Sequence, residues 1–251
     1  RIAVEDPGLP VFVGGLSLGG MATLAVLDDA PEDYAGAFVW EGTLYSADPA
    51  VRGLNQAYCA GLEAQLAGGS VFEGFGNNLF KKIAKLAQLQ PDGLTPIPLF
   101  PSFLTNRQVL ASFLITPAPG PASMPVPGYV FTAGDQSTGE LFHANDARLF
   151  ENVARFDDYA PLATVRDVSC SLAGVETRYI DELAQWDGPM LAIGGSLGFG
   201  PYLHEAIGLT GSTDVTIRIE SGFGHVDHLL AADHRRFVER PIFRWIVDRL
   251  D

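Results

Sequence analysis

Positive charge is scarce in this chain. Sixteen Lys and Arg stand against 30 Asp and Glu over 251 residues, a formal charge of −14. A surface of that sign repels phosphate, which argues against nucleic acid and anionic membrane surfaces as partners. No apolar run reaches the length that crosses a bilayer, and no signal-peptide pattern opens the sequence. The glycines form no phosphate- or dinucleotide-binding fingerprint. The cysteines and histidines have no metal-site spacing, with His143 and His204 isolated. Neither cofactor nor metal is expected, and no internal repeat is evident. Only two cysteines occur, Cys59 and Cys170. In an oxidising compartment such a pair tends to bridge, whereas in the cytosol it is more often two buried thiols. The reading taken is a disulfide in a secreted or periplasmic protein, with a cytoplasmic protein as the alternative. The bridge would close a long loop and contribute roughly 2–4 kcal/mol.

What is present is a large folding potential: 47% hydrophobic and 10% aromatic residues, enough for one domain or one domain with an insertion. The most informative stretch is Pro10-Val11-Phe12-Val13-Gly14-Gly15-Leu16-Ser17-Leu18-Gly19-Gly20-Met21-Ala22-Thr23-Leu24-Ala25-Val26-Leu27. It reads as a short strand buried on both faces, a glycine turn and a buried helix. At the turn, Gly15-Leu16-Ser17-Leu18-Gly19 is a G-x-S-x-G. A serine on so sharp a strand-to-helix turn takes a strained backbone, and its flanking residues must be nearly without side chains. The helix N-terminus offers amides and a positive dipole end to a developing oxyanion. The pattern also arises by accident in a chain with 28 glycines, and Gly194-Gly195-Ser196-Leu197-Gly198 repeats it after a second apolar strand. There Phe199-Gly200-Pro201 breaks any helix starting at the serine. Ser17 is therefore the candidate nucleophile.

Strand, elbow and helix together resemble the α/β-hydrolase family, whose order is nucleophile, acid, histidine. The resemblance implies a base just past the last strand. Here an alternating strand at 214–220 runs into Ser221-Gly222-Phe223-Gly224-His225-Val226-Asp227-His228, and His225 takes that place. His228 and His234 read as polar surface or local structure, and Asp227 as a cap of the following helix. Most members carry the acid after strand seven, but 195–201 holds no carboxylate. The placement after strand six, resembling dehalogenases of this fold, falls on Glu41, which ends Ala37-Phe38-Val39-Trp40. A carboxylate closing an apolar strand needs a partner, and His225 would supply one. Asp135, Asp146 and Asp227 are the fallback acids. Those dehalogenases use an Asp nucleophile, so Ser17 implies acyl transfer. Leu18 N–H is the implied oxyanion donor.

The resemblance also implies four strands and two helices before the nucleophile strand, where only residues 1–9 stand. The expectation is a segment ahead of Arg1, either a second polypeptide that is the N-terminal fragment of the same precursor or an uncleaved part of the same chain, pairing with an otherwise open edge of the strand at Val11; roughly 80–110 residues would suffice. The expected fold is the C-terminal part of an α/β-hydrolase sheet with a large, mainly helical cap between strands six and seven. Its divisions are 1–42 for the elbow and acid strand, 43–188 for the cap and connecting helix, and 189–251 for the core with the histidine. Helices are predicted over 50–67, 77–90, 106–115, 144–156 and 175–186. The proline-rich apolar stretches at 95–104 and 116–128 either line a binding cleft or form rigid linkers packed on the cap.

Three functions fit. One is a serine hydrolase cleaving a carboxylic ester of a hydrophobic substrate through an acyl-enzyme. A second is a lactonase or amidase using the same residues. The third, of another class, is a non-catalytic ligand-binding protein on a hydrolase scaffold.

Overall fold

A computed structural model describes residues 9–72, 77–115, 126–155 and 161–250. Its main sheet contains β1 (Phe12–Leu16), β2 (Gly36–Trp40), β5 (Met190–Gly195) and β6 (Val215–Glu220), all parallel, in the order β1-β2-β5-β6. A parallel sheet must be covered on both faces, and the period-two alternation along the strands shows how. Ala37, Val39, Met190 and Ala192 pack on one face against Met21, Leu24 and Leu27 of α1 (Leu18–Asp29). Trp40, Leu191 and Ile193 pack on the other against Val238 and Trp245, the latter from the C-terminal helix Arg240–Val247.

Registers pair Leu16 with Trp40 and Trp40 with Ile193. The C-terminal ends of neighbouring strands are therefore level, and the residues that follow each strand meet at one end of the sheet. That is where open parallel sheets place their sites. Among the described residues β1 pairs with β2 alone and is an edge strand; its Gly14 is exposed.

Between β2 and β5 the chain forms α2 (Pro49–Ala67), α3 (Asn77–Leu89), α4 (Asn106–Ile115), the two-residue strands β3 (Gly134–Asp135) and β4 (Glu140–Leu141), α5 (Asp146–Arg155) and α6 (Leu162–Leu172). Asp48 caps α2 by accepting from Ala50 N–H at 2.8 Å, with Pro49 in the first turn. Val51 of α2 and Val168 and Leu172 of α6 join the core beside the sheet. Phe80, Ile83, Leu110, Leu114, Leu149 and Phe150, from α3, α4 and α5, build a second core of their own. Cys59 of α2 and Cys170 of α6 form the disulfide, their Cα atoms 5.0 Å apart.

One expectation is corrected here. Residues 175–186 are not a helix: they form turns and a single 3-10 turn at Leu183–Gln185. Val175 and Glu176 N–H both return to the Cys170 carbonyl, closing α6, and Asp28 accepts from Glu182 N–H at 2.9 Å. Tyr179 O–H donates to Asp167 at 2.6 Å. These side-chain tethers hold the segment against α1 and α6 in a path no helix could follow. The helix of this region is α6, one unit earlier. The proline-rich stretch 95–104 packs Ile97, Phe100 and Leu104 on the second core; most of the other, 116–125, lies outside the described residues, as do residues 1–8.

Candidate active site

The site begins where β1 breaks into α1. Ser17 stands between them at φ 56°, ψ −120°, a conformation few non-glycine residues adopt. Its N–H donates to the Trp40 carbonyl at 2.8 Å, and its carbonyl accepts from Met21 N–H at 3.0 Å. The crowding is one-sided. A Cβ on Gly15 would lie 2.5 Å from the Gly19 carbonyl carbon, so only glycine fits there, whereas a Cβ on Gly19 meets nothing within 4 Å. The expectation that both flanking glycines relieve clashes therefore holds for Gly15 and not for Gly19. The second tight position is Gly20, where a Cβ would sit 3.0 Å from the Gly15 carbonyl.

Glu41 follows β2, is fully buried, and is, among the described residues, the other non-glycine residue with positive φ, 51°. Its Oε2 lies 3.0 Å from His225 Nδ1, and His225 Nε2 lies 2.8 Å from Ser17 Oγ. The three residues singled out in the sequence thus meet at the C-terminal end of the sheet, 208 and 184 positions apart in the chain for the two contacts. Hydroxyl donation to Nε2 leaves Nδ1–H to donate to Glu41. Ser17 is half-buried and open to a reactant, whereas His225 is 4% exposed. Leu18 opens α1, so its N–H is among the first-turn amides a helix leaves without an intrahelical partner.

The loop after β5, which holds no carboxylate, cradles the one on Glu41. Gly195 N–H donates to Glu41 Oε1 and Phe199 N–H to Oε2 at 3.0 Å. A Cβ on Gly198 would overlap Glu41 Oε2. Ser196 takes no part, since its Oγ accepts from Gly222 N–H at 2.9 Å, tying this loop to the histidine loop. The cradle escaped sequence reading because backbone amides carry no residue signature. The repeated glycines at 194–198 were its only sign.

His225 is held from both sides. Its N–H donates to the Val130 carbonyl at 3.0 Å, and its ring packs against Tyr129 and Phe199, centroids 5.3 and 5.6 Å away. Burial, and then the nearby Glu41, push the Tyr129 phenol well above its ordinary range, keeping it neutral. Asp227 does not cap the helix after it; Val226 occupies the cap position. Instead one Asp227 oxygen accepts from Thr132 Oγ1 and the other from Ala133 N–H at 2.8 Å and Gly224 N–H at 2.6 Å. It pins the histidine loop to residues 130–133. Asp135 accepts from Ser137, and Asp146 pairs with Arg107. His228, expected as polar surface or local structure, is fully buried beside Trp40 and Phe223, and burial followed by the charges of His225 and His143 pushes its pKa down to about 4. His234 pairs with Glu239 at 3.0 Å.

A cavity of about 240 Å³ opens beside Leu18, walled by Met21, Ala22, Leu44, Val168 and Tyr179. Among the described residues, the one group able to converge on a metal is Cys59, Glu63 and Cys170, two of whose ligand atoms are the disulfide sulfurs. No described helix is long and apolar enough to cross a membrane.

Neither a protein-family model nor a curated protein matches the sequence. Solved structures do. The structure of MenH from S. aureus aligns with a TM-score of 0.51 at 12% identity, covering 96% of this chain and 70% of that one. Rv0554 from Mycobacterium tuberculosis aligns with a TM-score of 0.51 at 13% identity, covering 95% and 65%. A thermophilic esterase from Thermogutta terrifontis aligns at 0.49 with 12% identity, covering 96% and 66%. The chain thus spans about two-thirds of the length of the structures it resembles, and its fold is the α/β-hydrolase fold.

Proposed function

We propose that the chain is a serine hydrolase cleaving a carboxylic ester of a hydrophobic substrate. The observation that carries this is the relay itself: Ser17 Oγ at 2.8 Å from His225 Nε2, with Nδ1 at 3.0 Å from a buried carboxylate. In the reaction Ser17 Oγ attacks the ester carbonyl as His225 takes its proton at Nε2. Glu41 fixes the tautomer and stabilises the imidazolium without itself taking the proton. Leu18 N–H donates to the tetrahedral oxyanion. The proton passes from Nε2 to the departing alkoxide, leaving an acyl-Ser17 ester that water, activated by the same nitrogen, hydrolyses. The apolar walls beside Leu18 suit a hydrocarbon portion of the substrate.

A lactonase or amidase would use the same atoms. A binding protein on this scaffold would have no need of a strained serine aligned with a histidine. A panel of p-nitrophenyl esters, lactones and anilides orders these readings. Ester turnover exceeding the other two supports the proposal, preference for lactones or anilides moves the substrate class, and no turnover of any with an intact fold favours the binding protein.

The reading extends to the architecture. Residues 43–188 serve as cap and connection, with α3 to α5 and their separate core as its most distinct part. The open edge of β1 is completed by the N-terminal fragment of the same precursor, which would bring a second oxyanion donor; a free apolar edge is otherwise a liability. Intact-mass measurement of the purified active species tests this, and a single active chain of 251 residues would contradict it. The disulfide favours a secreted or periplasmic location over the cytoplasm.

A further inference from the structure

The segment joining α3 to α4 has two apolar faces. Ile97, Phe100 and Leu104 point inward onto the second core, with Phe100 edge-on to Phe113 at 5.7 Å. Leu94, Leu99 and Phe103 stand outward, 65%, 74% and 76% exposed. The inward face and the bridge between Leu94 and Thr105 hold the outward one in place. An anchored loop that presents large apolar side chains to solvent marks an interaction surface.

Two features say what it meets. The first is charge. Residues 77–115 carry Lys81, Lys82, Lys85 and Arg107 against Asp92, and Arg107 is itself paired with Asp92 and with Asp146 of α5, so the positive charge of this region lies in its lysines, in a chain whose total is −14. The three lysines are all the lysines the chain has. Lys82, Lys85 and Leu89 are exposed and spaced three and four apart, so a basic stripe on α3 runs toward the apolar loop. The second is the backbone. In residues 95–104 three are prolines, which have no N–H, and the N–H groups of Thr95, Ile97, Phe100 and Leu104 are already bonded within the loop. Seven of the ten therefore bring no free amide donor, so a strand-pairing protein partner would find only the amides of Leu99, Ser102 and Phe103.

We propose that Leu94, Leu99 and Phe103, with Lys82 and Lys85 beside them, dock this chain on a phospholipid surface carrying anionic headgroups. The apolar side chains enter the acyl boundary and the ammonium groups meet the phosphates. The repulsion set by the whole-chain charge is overcome at one face, where the sign is reversed. This docking is independent of the hydrolytic reading and is measured without it.

The test is vesicle flotation with the Ser17→Ala protein, which leaves lipid intact whatever the wild type hydrolyses. The vesicles are phosphatidylcholine alone, and phosphatidylcholine mixed equally with phosphatidylglycerol. The protein should partition onto the mixed vesicles and be released by salt. Leu99→Glu/Phe103→Glu should lower partitioning by roughly a hundredfold, and Lys82→Glu/Lys85→Glu by roughly tenfold on the mixed vesicles only. Should the first variant fail to fold, Phe103→Trp gives a second readout, a blue-shifted emission on vesicles that brominated lipid quenches. No partitioning onto either vesicle would overturn the proposal, as would partitioning that Leu99→Glu/Phe103→Glu leaves unchanged. Self-association abolished by that variant without any vesicle binding would assign the patch to a second copy instead.

Discussion

The chain uses one five-residue pattern twice, and the two copies do different work. At 15–19 the strand continues into a twelve-residue helix, and the serine is lifted to φ 56° beside His225. At 194–198 the strand runs into a 3-10 turn at Gly200–Tyr202, and the serine hydroxyl accepts from Gly222 N–H. There the glycines matter for another reason. Gly198 has no Cβ to displace Glu41, and Gly195 lends its N–H to the same carboxylate. What decides the outcome is the chain after the motif: Met21 to Leu27 sustains a helix and Phe199-Gly200-Pro201 does not. The first copy brings Ser17 Oγ to one ring nitrogen of His225; the second holds the Glu41 carboxylate that meets the other.

Substituting the two serines separates these roles most widely. Ser17→Ala should lower kcat about 10⁴-fold or more with the fold unchanged, while Ser196→Ala should stay within a few-fold of wild type and lose about 1 kcal/mol of stability with its one hydrogen bond. Similar losses in steady-state ester hydrolysis would erase the distinction. Next in size is Glu41→Gln, expected to depress kcat by about 10³–10⁴-fold with KM less affected, because the amide no longer selects the His225 tautomer. A change confined to KM would show that the carboxylate acts elsewhere.

The glycines sharpen the contrast at smaller cost. Gly198→Ala should reduce kcat by about 10–100-fold, since even a 1 Å displacement of Glu41 misaligns the relay. Gly19→Ala, with open space at its Cβ, should leave kcat within a few-fold and raise stability by about 0.5–1 kcal/mol in the helix. If Gly19→Ala proves the more damaging of the two, the cradle is not what positions the acid.

These contrasts also mark what the sequence could disclose. Ser17, His225 and Glu41 were each legible because a local pattern surrounds them: an elbow, a loop after the last strand, and a charge ending an apolar strand. The cradle was not, because amide donors look alike in every residue. The segment 175–186 reads as a helix by composition, and only tethers from Asp28 and Asp167, over a hundred residues and about a dozen residues away respectively, pull it out of one. His228 reads as polar because its neighbours in sequence are, whereas the rings of Trp40 and Phe223 close over it in space. Exposure of the 94–103 loop was hidden for the opposite reason: an apolar, proline-rich run looks like something to bury.

The histidine loop supplies the most selective effect, one on stability and not on kcat. His228 has a folded pKa of about 4 against an ordinary value of 6.5. Between those values the unfolded chain binds the extra proton and the folded chain does not, so stability rises with pH across this window. The contribution is complete above about pH 6.5 and is lost as pH falls toward 4, a difference of about 3 kcal/mol at most. His228→Leu should flatten that slope in chemical denaturation measured from pH 4 to 7 while leaving kcat/KM at pH 7 within a few-fold of wild type. An unchanged slope would mean that His228 already finds a proton partner in the fold.

The claim on which the rest stands is that Ser17, and not Ser196, is the nucleophile. Labelling with a fluorophosphonate followed by peptide mapping tests it directly, because the probe bonds only to a serine activated by an adjacent base. One adduct is expected, on the peptide containing Ser17, undiminished by Ser196→Ala and abolished by Ser17→Ala or His225→Ala. An adduct on Ser196, or no adduct on a folded protein that still hydrolyses esters, would contradict it.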